Sequence, residues 1–138
     1  MKYPIFKVHV QPESTIIELE KVLRSGYLNE GEQVTNLTNK ISNYFCHSNT
    51  ILLNSCTSAL TLSLILAGVN KDDEVITTSM TCVATNTPIH NLGARVVWCD
   101  IDHLTGNIDP NKIESLITPK TKVINRVCKV LLAPPIVH

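Results

Sequence analysis

Apolar residues at helical spacing open the chain and predict two amphipathic helices, over residues 13–25 and 32–45. The apolar positions are Ile16, Leu19, Val22 and Leu23 in the first helix and Val34, Leu37, Ile41 and Tyr44 in the second. Pro12 suits the first turn of the first helix, and Gly26 suits its end. A polar loop over residues 27–31 separates the two helices.

From residue 51 onward, short apolar runs alternate with helical patterns. They predict strands at residues 51–53, 74–77, 95–99 and 122–124, and helices at residues 57–67, 81–91 and 110–116. The helix over 57–67 is so apolar that it is expected to be buried, and Asp109 is the expected N-cap of the last helix. This alternation predicts an α/β fold with a mainly parallel sheet and flanking helices. No crossover element is legible after the last strand, so the predicted sheet is incomplete.

The turn between the strand and the helix of the first βα unit, Ser55-Cys56-Thr57-Ser58-Ala59-Leu60, is the most informative segment. Unpaired backbone N–H groups and the positive end of the helix dipole converge there, which suits a phosphate. Ser55 or Thr57 also suits an ordinary N-cap. The hexapeptide alone favours the cap, because Ser and Thr are common at that position, and leaves the anion site as the alternative.

Composition excludes several classes of protein. Twelve basic and twelve acidic residues cancel, which gives no electrostatic case for nucleic acid or an anionic membrane. The N-terminus lacks a signal-peptide pattern and no apolar run is long enough to span a bilayer, so a soluble cytoplasmic protein is expected. The five cysteines and five histidines are scattered without ligand spacing, so neither disulfides nor a metal site is expected.

Other chemical motifs are absent or weak. The chain has no Gly-x-Gly-x-x-Gly, no P-loop and no Gly-x-Ser-x-Gly. Asp100 and Asp102 end a predicted strand, where ligands of open α/β sheets bind. A catalytic pair is conceivable there, but solvated turn carboxylates are favoured because Asp is common in turns.

Eight segments in order resemble the N-terminal part of the DegT/DnrJ/EryC1/StrS sugar aminotransferases. The resemblance covers residues 11–124, and its segments are 25–34 (SGYLNEGEQV), 54–60 (NSCTSAL), 73–76 (DEVI), 80–86 (MTCVATN), 92–94 (LGA), 100–102 (DID), 107–110 (NIDP) and 117–124 (ITPKTKVI). It implies part of the large domain of the aspartate-aminotransferase type of fold. It also implies pyridoxal 5′-phosphate (PLP) as cofactor and transfer of an amino group, usually from glutamate, to a nucleotide-linked keto-sugar.

The resemblance also implies site residues. Thr57 and Ser58 match the positions that hold the cofactor phosphate, within a turn where Cys56 replaces the family's usual Gly. That Cys is costly if the position needs a positive φ and harmless otherwise. Cys82 stands where an aromatic ring commonly stacks on the cofactor's pyridine, although a small buried Cys on a helix is an equal alternative.

Residues of the 27–31 loop, Tyr27, Asn29 and Gly31, match a loop near the sugar substrate. No catalytic residue is assigned. The family's Schiff-base lysine and its pyridine-nitrogen carboxylate match no position here, so the chain is expected to be a fragment inactive alone, from a truncated, frameshifted or split gene.

The expected organisation is a helical segment over residues 1–47, a partial PLP-binding α/β domain over 48–126 and a divergent tail over 127–138. The family implies a homodimer, or a complementary C-terminal chain if the enzyme is split. The alternative function is a non-catalytic α/β binding or interaction module whose unfinished sheet edge pairs with a partner.

Overall fold

The computed structural model describes Val8 and residues 10–127, and these form two compact units that meet in sequence between Leu52 and Leu53. Apart from Val127, the predicted tail lies outside the described residues, as does Cys128. The predicted division at residues 47 and 126 stays a prediction.

The first unit contains two helices with the predicted bounds to within one residue. Helix α1 spans Pro12–Ser25, with Pro12 in its first turn, and ends at Gly26, whose φ of 73° is the left-handed C-cap that glycine adopts without strain. Helix α2 spans Glu32–Phe45 and ends at Cys46, which adopts the same left-handed region with a φ of 53°. Neither helix buries a residue, and the predicted apolar stripes remain half-exposed or exposed.

The second unit is a three-stranded sheet with helices and a long loop around it. Its elements in chain order are helix α3 (Cys56–Leu66), β1 (Glu74–Thr77), helix α4 (Val83–Asn91), β2 (Arg95–Trp98), helix α5 (Pro110–Ile113) with a 3₁₀ turn (Glu114–Leu116), and β3 (Thr121–Ile124). The strand order is β2-β1-β3 and both pairings are parallel, which confirms the predicted α/β class. Asp109 caps α5, as predicted, by accepting the amide of Asn111.

The central strand β1 supplies the core on both faces of the sheet. All four of its residues are buried, and successive side chains of a strand point to opposite faces. Val75 therefore packs with Leu64 of α3 and Ile89 of α4 on one face. Ile76 packs on the other face with Cys99 and Ile108, close to the α5 segment.

Two sequence expectations about the first βα unit are wrong. Residues 51–53 are not a strand, because no strand among the described residues pairs with them and an extended segment needs a neighbour for its backbone groups. Helix α3 is not buried: Leu64 is its one buried residue, while Ile65 is 51% and Leu66 75% exposed. Its apolar character is spread around the whole helix, and α4 with β1 covers a single side.

Candidate functional site

The N-terminal turn of α3 is fixed by small polar side chains. Ser55, with extended backbone, is the N-cap, and its Oγ accepts the Ser58 amide at 3.1 Å. The Ser58 hydroxyl bonds to Asn54 Oδ1 at 2.8 Å and lies 2.9 Å from Ser55 Oγ. The cap that the hexapeptide favoured is therefore present, and Ser55 rather than Thr57 provides it.

The cap leaves donors free at the same turn. Ala59 N–H bonds to the Ser55 carbonyl, but no hydrogen bond within the described part of the chain uses the amides of Cys56 and Thr57 or the hydroxyl of Thr57. Three donors thus remain at the positive end of an eleven-residue helix. A phosphate binds through this kind of donor set, so the turn fits the cofactor phosphate without losing its cap.

Cys56 is the first residue of α3 and is not among the described residues with positive φ. The position therefore does not need the positive φ that would favour Gly, and Cys in place of Gly is harmless for the backbone. Its side chain is exposed, as are those of Cys46 and Cys82.

Cys82 is the N-cap residue of α4, with extended backbone. The alternative of a small buried Cys on a helix is wrong, since Cys82 is exposed and precedes the helix. Helix α4 joins the carboxyl end of β1 to the amino end of the parallel strand β2, so it begins at the carboxyl edge of the sheet. Helix α3 packs on α4 and leads through a turn to the amino end of β1, so its N-terminus is directed to the same edge, where open α/β sheets bind ligands.

A buried polar network at this edge was missed in the sequence. Asn86 of α4 accepts the hydroxyl of Thr77 at 3.0 Å and donates its side-chain N–H to the Thr78 carbonyl at 3.2 Å. Thr77 and Thr78 are at most 1% exposed and Asn86 7%. The available signal was the pair of hydroxyl residues that ends the apolar run of β1.

The carboxylates beside this edge have structural partners. Asp102 Oδ1 accepts the amide and the hydroxyl of Thr105 and the amide of Leu104, and these bonds, those from Thr105 above all, lower the pKa of Asp102. Asp100 forms an exposed ion pair with Lys112 at 2.9 Å. Hydrogen bonding and charge from Asp100 raise the pKa of Lys112. These contacts support turn and surface roles for both carboxylates.

The loop residues Tyr27, Asn29 and Gly31 belong to the first unit, whereas the α3 turn and Cys82 belong to the second. The loop lines a cavity of about 370 Å³ together with side chains of α1 and α2 such as Lys21 and Gln33. A Cβ on Gly31 would lie 3.2 Å from the Tyr27 carbonyl oxygen, so the loop closes tightly on itself.

Over the described part of the chain, no cluster of three or more His, Cys, Asp or Glu side chains is arranged to hold a metal ion. No helix in that part of the chain combines the length and the apolar character that a membrane span requires.

Comparison with known proteins extends these observations. The sequence profile described as "DegT/DnrJ/EryC1/StrS aminotransferase family" matches residues 11–128. The spore coat polysaccharide biosynthesis protein SpsC of Bacillus subtilis is 38% identical over 109 residues, which cover 79% of this chain and 28% of SpsC. The UDP-2-acetamido-2-deoxy-3-oxo-D-glucuronate aminotransferase of Pseudomonas aeruginosa is 39% identical over 106 residues, or 77% of this chain and 30% of that enzyme.

Among solved structures, the putative sugar aminotransferase Spr1654 of Streptococcus pneumoniae in its PLP form superposes with a TM-score of 0.82 and 37% identity. The superposition covers 88% of this chain and 31% of that one. A PMP form of the same protein matches equally well. The chain thus spans about 30% of the length of the relatives it matches.

Proposed function

Because the chain belongs to the DegT/DnrJ/EryC1/StrS aminotransferase family, we propose that it forms the phosphate-binding part of a PLP-dependent aminotransferase. The proposed substrate is a nucleotide-linked keto-sugar, with glutamate as amino donor, in amino-sugar and polysaccharide biosynthesis. The relatives support this class, since one is named for spore coat polysaccharide synthesis and another as an oxo-sugar aminotransferase.

The free donors at the start of α3 carry the proposal. The amides of Cys56 and Thr57 and the Thr57 hydroxyl have no acceptor among the described residues, while the Ser55 cap holds them in place. We assign the cofactor phosphate to this turn, where Thr57 supplies free donors. Ser58 is the second proposed binding residue, and its hydroxyl would exchange its bond to Asn54 Oδ1 for one to the phosphate. When bound, PLP supplies an electron sink for carbanion chemistry.

The other proposed contacts come from two further segments. Cys82 is exposed at the carboxyl edge of the sheet, where its sulfur is available to pack on the face of the pyridine ring. Tyr27, Asn29 and Gly31 line the cavity of the first unit, and we assign them to the sugar substrate. An exposed tyrosine ring beside amide groups offers both a stacking surface and hydrogen bonds to a sugar.

We further propose that the 138-residue chain alone does not catalyse amino transfer. A lysine nucleophile must be neutral, which requires a lowered pKa. Lys112 is the described lysine at the carboxyl edge, and its ion pair with Asp100 raises its pKa. Lys71 and Lys120 flank the amino ends of β1 and β3, at the opposite edge.

Titration with pyridoxamine 5′-phosphate (PMP) tests the phosphate assignment, because PMP needs no lysine. Replacing Thr57→Val keeps the side-chain shape and removes one free donor, so the Kd should rise about fivefold to tenfold. Thr61→Val is the matched control, since the Thr61 hydroxyl bonds back to the Thr57 carbonyl one turn along the same helix. Equal PMP affinity in wild type and Thr57→Val would contradict the assignment.

Borohydride reduction of the chain with PLP, followed by mass spectrometry, tests the absence of activity. We expect no specific lysine adduct and no glutamate-dependent turnover of a nucleotide keto-sugar. A single modified lysine together with turnover would overturn this part of the proposal.

Exposed apolar surface favours a second candidate, an interaction module. Two apolar side chains of α3, Ile65 and Leu66, are exposed. The outer edges of β2 and β3 have no paired strand among the described residues. We propose that a homodimer partner or a complementary C-terminal chain covers them. Light scattering after size-exclusion chromatography tests this, and a well-behaved monomer at high concentration would contradict a need for a partner.

A further inference from the structure

A buried amide links the central strand to the start of α4. Asn86 is 7% exposed and uses both ends of its side chain, as acceptor for the Thr77 hydroxyl and donor to the Thr78 carbonyl. Both partners belong to consecutive residues at the carboxyl end of β1. An amide with two directed bonds fixes orientation as well as distance, which an apolar contact does not.

The same residues control the turn that leads to Cys82. The Thr78 hydroxyl accepts the Met80 amide at 3.2 Å, and Thr81 and Thr85 hydroxyls lie 3.0 Å apart. Residues 78–81 are therefore held at both ends, by the strand side and by the helix side. Cys82 follows immediately as the exposed N-cap of α4, where its own side chain makes no capping bond.

We infer that Asn86 is a positioning residue for the proposed cofactor site. It does not face the ligand itself; it sets the position of the 78–82 turn and so of the Cys82 thiol. The inference rests on the proposed function for its ligand, but the geometry of the turn exists without any ligand. A measurement on Cys82 without any ligand can therefore test the positioning role of Asn86 separately from the proposed function.

Two measurements on the full chain test this inference: the Kd for PMP and the alkylation rate of Cys82 relative to Cys56 in the same molecule. Asn86→Leu keeps the volume and removes both bonds. We expect PMP affinity to fall about tenfold, the effect of one buried hydrogen-bonding group. The Cys82 rate should change at least about threefold while the Cys56 rate stays constant, because α3 is capped independently by Ser55.

The double variant Thr77→Val with Asn86→Leu guards against simple unfolding, because it removes both members of the Thr77–Asn86 pair and leaves one unpaired group, the Thr78 carbonyl, where Asn86→Leu alone leaves two. It should retain the fold and still show both effects. Thr87→Ala is the control, since the exposed Thr87 hydroxyl bonds to Val83 within α4. Unchanged Cys82 reactivity in a folded Asn86 variant would overturn the inference.

If wild type fails to bind PMP, the proposed function fails and the Cys82 measurement still decides the positioning role. If PMP affinity falls in the Asn86 variants without any change at Cys82, the inference is wrong and the phosphate assignment stands.

Discussion

Replacing Ser55→Asp should separate the two roles of the α3 turn, helix cap and phosphate site. Asp caps helices about as well as Ser, and its carboxylate can accept the Ser58 amide as Ser55 Oγ does now at 3.1 Å. Negative charge at a helix N-terminus is itself favourable by about 0.3–1 kcal/mol. The free energy of unfolding should therefore stay within about 0.5 kcal/mol of wild type or rise slightly.

The phosphate should be repelled by the same carboxylate. Ser55 is exposed, so a water-like dielectric applies, and two unit charges about 5 Å apart then repel by about 0.8 kcal/mol. A phosphate group carries roughly −1.5 to −2 charges near neutral pH, which brings the penalty to about 1.2–1.7 kcal/mol, or roughly a tenfold weaker affinity for PMP. The separation is shorter than the Debye length of about 8 Å at physiological ionic strength, so salt reduces this loss without removing it.

Calorimetric titration with PMP measures the affinity, and denaturant unfolding of the same samples measures the free energy of unfolding. Ser55→Asn is the matched control, because Asn caps as well as Asp but carries no charge, and it should bind PMP like wild type. If Ser55→Asp binds PMP as tightly as Ser55→Asn, the phosphate does not lie at this turn and the reasoning is refuted.

Three further predictions follow from other parts of the chain. Cys46→Gly should stabilise the fold by about 0.5–1 kcal/mol in urea unfolding, because Cys46 holds a left-handed φ of 53° at the end of α2; a loss of stability would contradict this. Hydrogen bonds lower the pKa of Asp102, so the ionised carboxylate should stabilise the fold above its ordinary pKa of 3.8. This stabilisation should be lost as the pH falls through the lower pKa of the folded state. In Asp102→Asn, the free energy of unfolding should no longer fall with pH in this range on account of this group. Thiol labelling of the native chain should modify Cys56 and Cys82 but spare Cys99, which is 3% exposed and whose pKa is raised by burial; early labelling of Cys99 would contradict the packing of its cluster.

The sequence predicted the regular elements well where local signals and burial agree. Strand β1 has the predicted bounds because its two apolar residues, Val75 and Ile76, pack on opposite faces of the sheet and all four of its residues are buried. Helix α1 begins with Pro12 and ends at Gly26, as expected from residues with strong backbone preferences. Asp109 caps α5 for the same local reason.

Predictions that depended on contacts between distant segments of the chain were less successful. Residues 51–53 have the composition of a strand but lack a paired strand among the described residues, and a sequence window does not reveal that. Helix α3 is apolar all round, which indicated burial, yet α4 and β1 cover a single side of it, and Ile65 and Leu66 stay exposed.

The candidate site divides in the same way. The cap and free donors at Ser55–Ser58 follow from local chemistry and were readable in the hexapeptide. The buried polar network joins a helix to the end of a strand through Asn86, Thr77 and Thr78. Its hydrogen bonds depend on tertiary packing, which patterns in a single sequence do not encode.

The central claim is that the N-terminal turn of α3 binds the cofactor's phosphate, and backbone amide NMR shifts of the full chain on adding PMP test it most directly. The account predicts saturable shifts at the amides of Cys56 and Thr57, and none with pyridoxamine, which lacks the phosphate. Absence of these shifts at saturating PMP, or equal shifts with pyridoxamine, would contradict it.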